Sequence, residues 1–494
     1  MFDIQYKSIS SDTSINSCDV LIDFLDSSDF KTGLSNFENS SGIEIPAILK
    51  KKFQQKSEKQ ISFYTNSRPA IVYLFKFDAD KINTDYFRNS VARIISGLFG
   101  ENIESVFIRV PEYEISSSVF EDKQQYYRSF VEGAGLGNYE FNKYKSDKKK
   151  NKKLKVDFLS KDEKEMKQAV SVSENILEAV YFTRDIINEP AIQLTPAELA
   201  KQAKKKLNDA GIEVTIWDKK EIEKNKMNAI LAVGGASVNE PKLIVMKYSC
   251  GKKKAKHIGL VGKGVTYDSG GLSIKPTSGM FDMKIDMAGA AAVIGAVLSA
   301  AKNKIDVNIT AVIPAVENMV SGSSYKPGDV IKTYSGKTIE VMDTDAEGRI
   351  ILADALYYIS KQNPDEIIDL ATLTGACVVA LGEYAAGMFS KNDEISDKLY
   401  KAGMQTFERV WRLPFWDEYG EMLKSDIADV ANLGPRWGGA ITAGKFLENF
   451  VTKPENWVHL DLAPAGKNKL SSYMEKYHPG FGVRLLYRYF EMTE

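Results

Sequence analysis

The second half of the chain is constrained most by a repeated alternation. Short, nearly continuous apolar runs recur with helical stretches between them. Lys242–Ser249 (KLIVMKYS), His257–Gly264 (HIGLVGKG), Asn308–Glu317 (NITAVIPAVE), Glu366–Leu373 (EIIDLATL) and Trp457–Ala463 (WVHLDLA) have the length and composition of strands. Strands apolar on both sides belong in a sheet covered on both faces. The runs between them, Met287–Lys302, Glu347–Gln362 and Ile441–Val451, supply helices to cover it. The expected architecture is therefore α/β, with a mixed, mostly parallel central sheet. Sites in such sheets lie where strands end and loops begin.

The first 160 residues read as a smaller α/β domain. Ala70–Phe77 and Glu104–Val110 have strand character, and Thr84–Phe99 has helical apolar spacing. An amphipathic helix over 161–187 links this domain to a catalytic domain spanning 188–494, and Pro190 lies just past its end. A chain of 494 residues is long enough for two or three domains.

Lys+Arg number 65 and Asp+Glu 66, so no charge excess calls for nucleic acid or a membrane surface. The one local exception is the lysine run Tyr144–Val156, which reads first as a solvated edge or loop and second as a nucleic-acid contact. Met287–Ala301 is apolar but too short to span a bilayer, and its Ala/Gly content predicts a buried helix. The start MFDIQYKSIS has neither the basic segment nor the apolar core of a signal peptide. Cys18, Cys250 and Cys377 form no CxxC pair. Both features lead to the expectation of a cytoplasmic protein with reduced thiols.

The segment Val261–Pro276, VGKGVTYDSGGLSIKP, poses the chemical question. Its DSGG looks like the nucleophile strip of a trypsin-like serine protease. That chemistry needs a histidine and an acid beside the serine, and the three histidines, His257, His459 and His478, carry no triad context. His257 opens a strand after a lysine-rich turn and is expected at the surface. No GxxxxGK[ST] and no HExxH is present. The acids are better candidates. Asp268 follows a strand, Asp286 precedes a helix, and Asp345 and Glu347 stand two apart, so in an extended segment they share a side. Any one of them alone reads as a helix cap. Together they carry four negative charges, which two divalent cations would neutralise if the four converge.

VGKGVTYDSGGLSIKP, MKIDMAGAAAV, DTDAEGRIILADAL and DLATLTGA resemble, in order and spacing, the signature blocks of the leucyl aminopeptidase family (M17, cytosol aminopeptidase). The likeness runs from about Asn188 to the C-terminus, and EGAGLGNYEFNKYKS is similar to the end of that family's N-terminal domain. The full block order disfavours a two-metal phosphoesterase.

The resemblance implies an aminopeptidase with two Zn²⁺ or Mn²⁺ ions per chain, acting on peptides with leucine-like N-terminal residues. By that likeness Asp268 and Glu347 bridge the ions. Lys263 and Asp286 complete one site, and Asp345 completes the other. Lys275 stabilises the oxyanion, and Arg349 holds a bicarbonate that serves as general base toward a metal-bridging hydroxide. The implied substrate pocket comprises Met283, Thr372, Leu373, Gly375 and Ala463, and the implied assembly is a homohexamer. Some family members also bind DNA, which keeps a nucleic-acid role as the alternative. Two departures stand out: Asp343 where many relatives carry Asn, and Pro464-Ala465-Gly466 after the last strand. Ser269 is a bystander in a glycine turn on this reading.

Overall fold

The computed structural model describes residues 1–28, 30–55, 57–147, 151–466 and 469–493. The chain divides into two compact units. Met1–Leu177 with Ser471–Tyr473 forms one, and Glu178–Leu470 with Met474–Glu494 forms the other. The division falls inside the helix that the sequence marked as a linker, so that helix contributes to both units. Apolar residues recur along its whole length, which allows each half to join a different core.

The N-terminal unit is built on six strands: β1 (Phe2–Ser10), β2 (Val20–Asp26), β3 (Gln60–Tyr64), β4 (Ile71–Phe77), β5 (Ser105–Arg109) and β6 (Lys152–Ser160). Their order is β1-β6-β5-β2-β4-β3, and every pairing is parallel except β3 with β4. The helices of this unit are α1 (Phe30–Ser41), α2 (Ala47–Phe53), α3 (Tyr86–Gly97), α4 (Lys123–Asn138) and α5 (Glu163–Asn188), the last shared with the second unit. Alternation along β2 explains the layering. Leu21 and Leu25 pack with Leu34 and Phe37 of α1 on one face. Phe24 points to the other face, where its ring meets Phe87 of α3 at 5.1 Å and Phe130 of α4 at 5.6 Å.

The lysine run is only partly within this description, because Lys148–Lys150 lie outside the described residues. Lys152, Lys153 and Lys155 are exposed on β6, alternating with buried Leu154 and Val156. Residues 144–147 are exposed turn, as a solvated loop requires, and the described remainder of the run enters β6, which lies between β1 and β5 and is an interior strand.

The second unit is organised by a larger mixed sheet. Its strands are β7 (Glu213–Trp217), β8 (Lys242–Tyr248), β9 (His257–Gly262), β10 (Gly264–Asp268) and β11 (Asn308–Asn318). A small sheet of β12 (Val330–Lys332), β13 (Thr338–Glu340) and β17 (Val430–Ala431) interrupts the series. The large sheet resumes with β14 (Glu366–Ala371), β15 (Ala386–Ser390), β16 (Val410–Arg412) and β18 (Trp457–Asp461). Its order is β16-β15-β18-β14-β9-β11-β8-β7, with β10 paired to β11. The centre is parallel, and β8 and β7 turn antiparallel toward one edge.

The expected single strand His257–Gly264 is two strands broken at Lys263. At the break the Lys263 N–H bonds Leu370 O at 3.0 Å. The helix expected from Met287 runs over Ala288–Asn303 and is buried through Ala300. By length and composition the stretch Thr277–Asn303 would also pass as a membrane crossing. Its small residues serve close packing instead. A Cβ at Gly289 would stand 2.0 Å from Leu370 O, so only glycine lets the helix lie this near β14.

Candidate active site

Every candidate residue named from the sequence lines one cavity of about 830 Å³ in the second unit. The strands explain why. β9, β10, β14 and β18 end on the same side, and their carboxyl ends deliver Lys263, Asp268, Thr372 and Ala463. Asp286 follows the 3₁₀ turn Met283–Ile285, and Glu347 opens the helix Glu347–Ser360.

Lys263 is the hub. Its Nζ donates to Asp286 Oδ1 at 2.7 Å and to Thr372 O at 2.9 Å, and it lies 2.9 Å from Glu347 Oε1. Both carboxylates and the ammonium are buried. Burial opposes the charge on Lys263, but Asp286, Glu347 and Asp268 outweigh it and hold the ammonium well above its usual range. Burial pushes Asp286 and Glu347 upward, with Lys263 acting in the opposite sense. Asp268, Asp286 and Glu347 each place one oxygen within 4.8 Å of the others. Asp268, Asp286, Glu347 and the nearby Asp345 outnumber the ammonium groups of Lys263 and Lys275, which leaves negative charge uncompensated in a dry pocket. Asp286 Oδ2 and Glu347 Oε2 are buried without a hydrogen-bond partner. Hard oxygen donors with unused lone pairs fit a divalent cation.

Lys275 forms the second cationic point. Its Nζ is 2.9 Å from Asp268 Oδ2 and in close contact with Asp345. Burial works against its charge, and Asp268 and Asp345 raise its pKa above the ordinary lysine value. Asp345 is only partly buried and stands outside the close carboxylate trio. The reason is local. Asp343–Ala346 is a turn, not the extended segment that equal facing of Asp345 and Glu347 required. In that turn Asp343 Oδ1 accepts the Asp345 N–H at 2.8 Å.

The DSGG segment is a tight turn. Gly270 has φ +87° and Gly271 φ +65°, and a Cβ on Gly270 would lie 2.8 Å from Asp345 Oδ1. The Gly270 N–H bonds Asp268 Oδ1 at 2.9 Å. Ser269 Oγ donates to Asn318 O at 2.8 Å and is committed to the backbone.

His459 differs from its sequence reading, because it does have an acid partner. Its Nδ1 lies 2.6 Å from Asp369 Oδ1, directly across the β14–β18 pairing, while Asp369 Oδ2 accepts the Trp457 indole N–H at 2.7 Å. His459 Nε2 has no partner among the described residues, so no serine completes a triad. His257 is half-buried rather than exposed, with Nε2 at 2.8 Å from Thr310 Oγ1.

Arg349 sits in the first turn of its helix, buried, and donates from Nη1 to Asn432 O at 2.8 Å. Burial lowers its pKa to about 10 despite Glu347, Asp461 and Asp343 nearby. Its Nε has no partner among the described residues.

Three polar residues that the sequence reading passed over hold this arrangement. Asn318 Nδ2 donates to Asp268 Oδ1 at 2.8 Å and to Thr344 O at 3.0 Å. Asn432 accepts the Met342 N–H at 2.7 Å and donates to Asp343 O at 2.7 Å. Asp461 accepts from Leu373 N–H (3.0 Å), Thr374 Oγ1 (2.6 Å) and Ala463 N–H (3.1 Å). Asp461 ends a strand as Asp268 does, and that signal could have found it. The asparagines carry no comparable mark. Met283, Leu373, Gly375 and Ala463 line the cavity, joined by Ala376, Val378 and Leu433.

The sheet and the buried carboxylate–lysine cluster at its strand ends define a protein of α/β architecture with a cavity whose oxygen donors suit a divalent cation. Residues 181–487 match the profile of the cytosol aminopeptidase family catalytic domain, and 78–148 match that family's N-terminal domain. The chain belongs to the cytosol aminopeptidase family and is an aminopeptidase. It is 42% identical over 424 residues to a probable cytosol aminopeptidase of Chloroherpeton thalassium, covering 82% of this chain and 83% of that one. It is 40% identical over 471 residues to one of Clostridium perfringens, covering 92% and 94%. Among solved structures it is similar to the bottromycin maturation enzyme BotP in complex with Mn, with TM-score 0.83 and 27% identity over 97% of this chain and 100% of that one.

Proposed function

We propose that the chain is a two-metal aminopeptidase that removes leucine-like N-terminal residues from peptides. The observation that carries the reading is the buried trio Asp268, Asp286 and Glu347, with two carboxylate oxygens unpartnered. These three, with Lys263 and Asp345, would hold two divalent cations. The Mn in the BotP complex supports a divalent ion, and Zn²⁺ and Mn²⁺ are the two expected here. Bound there, the cations supply Lewis acidity toward the scissile carbonyl and an activated water.

The residues of the chain do the rest. Lys263 would hold a cation only as the neutral amine, so its ammonium proton would have to leave the site. Lys275 keeps its ammonium and donates to the oxyanion that develops at the substrate carbonyl. Arg349 presents Nε beside a helix N-terminus and would hold bicarbonate, which supplies the base. Asp461 orients the Leu373–Thr374 backbone and Ala463, which flank the substrate side chain. Apolar lining from Met283, Leu373, Val378 and Leu433 favours leucine-like residues. The protein acts on peptides in the cytoplasm as a homohexamer.

The test is metal reconstitution on a panel of aminoacyl amides. Chelation should abolish hydrolysis and Mn²⁺ or Zn²⁺ should restore it, with leucinamide among the best substrates. Full activity after metal removal would overturn the reading.

A further inference from the structure

The N-terminal unit holds a cavity of about 900 Å³, with Asp26, Val110, Leu159 and Ile15 among its lining residues. Its place follows from topology. β2 and β5 are adjacent and parallel. The chain leaves β2 into α1, on the Leu21/Leu25 face, and leaves β5 toward α4, on the Phe24 face. Neighbouring strand ends whose connections part to opposite faces leave a crevice, and open parallel sheets bind ligands there. None of the catalytic residues discussed above belongs to this unit.

The floor of the cavity is an ion pair whose acid, Asp23, is buried and whose Arg109 side chain is partly exposed. Asp23 accepts the Phe24 N–H at 2.8 Å and Arg109 Nη1 at 2.7 Å. Nη1 also reaches Ser40 Oγ of α1 at 3.5 Å. Arg109 Nε and Nη2 have no partner among the described residues. One wall is closed by the ion pair of Glu112 with Lys161. Asp12 and Asp26 also line the cavity and have no ion-pair partner among the described residues. Asp12 accepts only the Ser11 hydroxyl, and Asp26 only the N–H and hydroxyl of Ser28.

The cavity thus combines a guanidinium with open donors, a surplus of carboxylates (Asp12, Asp23, Asp26 and Glu112) over the cations Arg109 and Lys161, and apolar walls from Ile15, Leu25, Phe37 and Ile115. A guanidinium edge suits a carboxylate, and uncompensated carboxylates suit an ammonium. The surplus of acids repels a polyanion such as a nucleotide. We propose that this cavity binds a free α-amino acid, its carboxylate on Arg109 and its ammonium toward Asp12 and Asp26. The assignment rests on this chemistry and not on the catalytic reading, although amino acids are what an aminopeptidase releases.

Calorimetric titration of the full chain tests it, with L-leucine, N-acetyl-leucine (no ammonium), isoamylamine (no carboxylate) and inorganic phosphate as probes. L-leucine should show a binding component beyond the catalytic cavity. Asn36→Trp, at an exposed α1 position lining the N-terminal cavity, should remove that component and leave kcat/KM for leucinamide unchanged. Arg109→Gln should weaken it by about tenfold or more, the scale of one charge-assisted hydrogen bond. N-acetyl-leucine and isoamylamine should each bind at least about tenfold more weakly than leucine, by the same scale. Leucine binding unchanged in Asn36→Trp would overturn the proposal, and so would phosphate or N-acetyl-leucine binding there as well as leucine. Asn36→Trp leaves the Asp23–Arg109 pair intact, so it decides the matter even if Arg109→Gln fails to fold.

Discussion

Lys263 Nζ stands 2.7 Å from Asp286 Oδ1, and both side chains are almost completely shielded from solvent. The pair joins the break between β9 and β10 to the segment that leads into the Ala288–Asn303 helix. Removing the lysine of this cluster leaves buried carboxylates unmatched, which typically costs about 3–5 kcal/mol. Lys263→Met should therefore lose thermal stability in the metal-free protein as well as activity. Equal melting temperatures of the metal-free variant and parent would contradict this account of the cluster.

Asp268 and Ser269 are neighbours with opposite expected fates. Ser269→Ala removes the hydrogen bond to Asn318 O and the one accepted from the Gly271 N–H, and should cost about 2 kcal/mol of stability with most of the activity kept. Asp268→Ala should lose bound metal and turnover together. Metal analysis alongside kinetics distinguishes them, and a dead serine variant with normal metal content would reverse the ranking.

Lys275→Ala should fold, retain its metals and lose turnover by roughly 10²–10³, the scale of one missing oxyanion donor. Arg349→Ala should keep its metals with a smaller loss, since the helix N-terminus also attracts an anion. Metal content is the arbiter, because loss of metal in either variant would make its role structural.

Asp461→Ala leaves the Leu373 and Ala463 N–H groups and the Thr374 hydroxyl without their shared acceptor. The expected effect is a rise in KM for leucinamide of roughly tenfold, from losing about 1–3 kcal/mol of positioning. The partial mimic Asp461→Asn, which keeps one acceptor oxygen, should recover part of it. A pure fall in kcat at constant KM would argue against a positioning role.

Asp354 supplies a pH prediction away from the catalytic cavity. Its carboxylate accepts three backbone N–H groups, from Ala229, Ile230 and Tyr334. Burial outweighs these and pushes its pKa up to about 7. A carboxyl with a folded pKa above its unfolded one binds more protons when folded between the two values. Its contribution is fully present below the unfolded pKa and is lost as pH rises through about 7. Stability should fall between about pH 4 and pH 7 by up to roughly 4 kcal/mol from this group. Asp354→Asn should flatten that slope in urea unfolding at several pH values, and an unchanged slope would refute it.

The sequence by itself determined the alternation of apolar runs and helices, and with it the strands β8, β11, β14 and β18 to within a few residues. Periodicity reports burial on one or both faces, and burial is what a sheet demands of its strands. Asp268, Asp286, Asp345 and Glu347 were legible as candidates from their places at strand and helix ends, whereas the roles of Lys275, Arg349 and the pocket residues followed from the family resemblance and from no local pattern. Other features only the tertiary structure decided. The break at Lys263 marks the loss of one neighbour, since β9 pairs with both β14 and β11 while β10 continues along β11 alone, which local sequence does not encode. The separation of Asp345 from Glu347 comes from a turn held by Asn432, an ordinary residue some 85–90 positions away. His459 obtained Asp369 through strand register, and the N-terminal cavity exists because α1 and α4 leave neighbouring strands on opposite faces. Each of these depends on contacts between segments distant along the chain, and no local pattern records which segments will become neighbours.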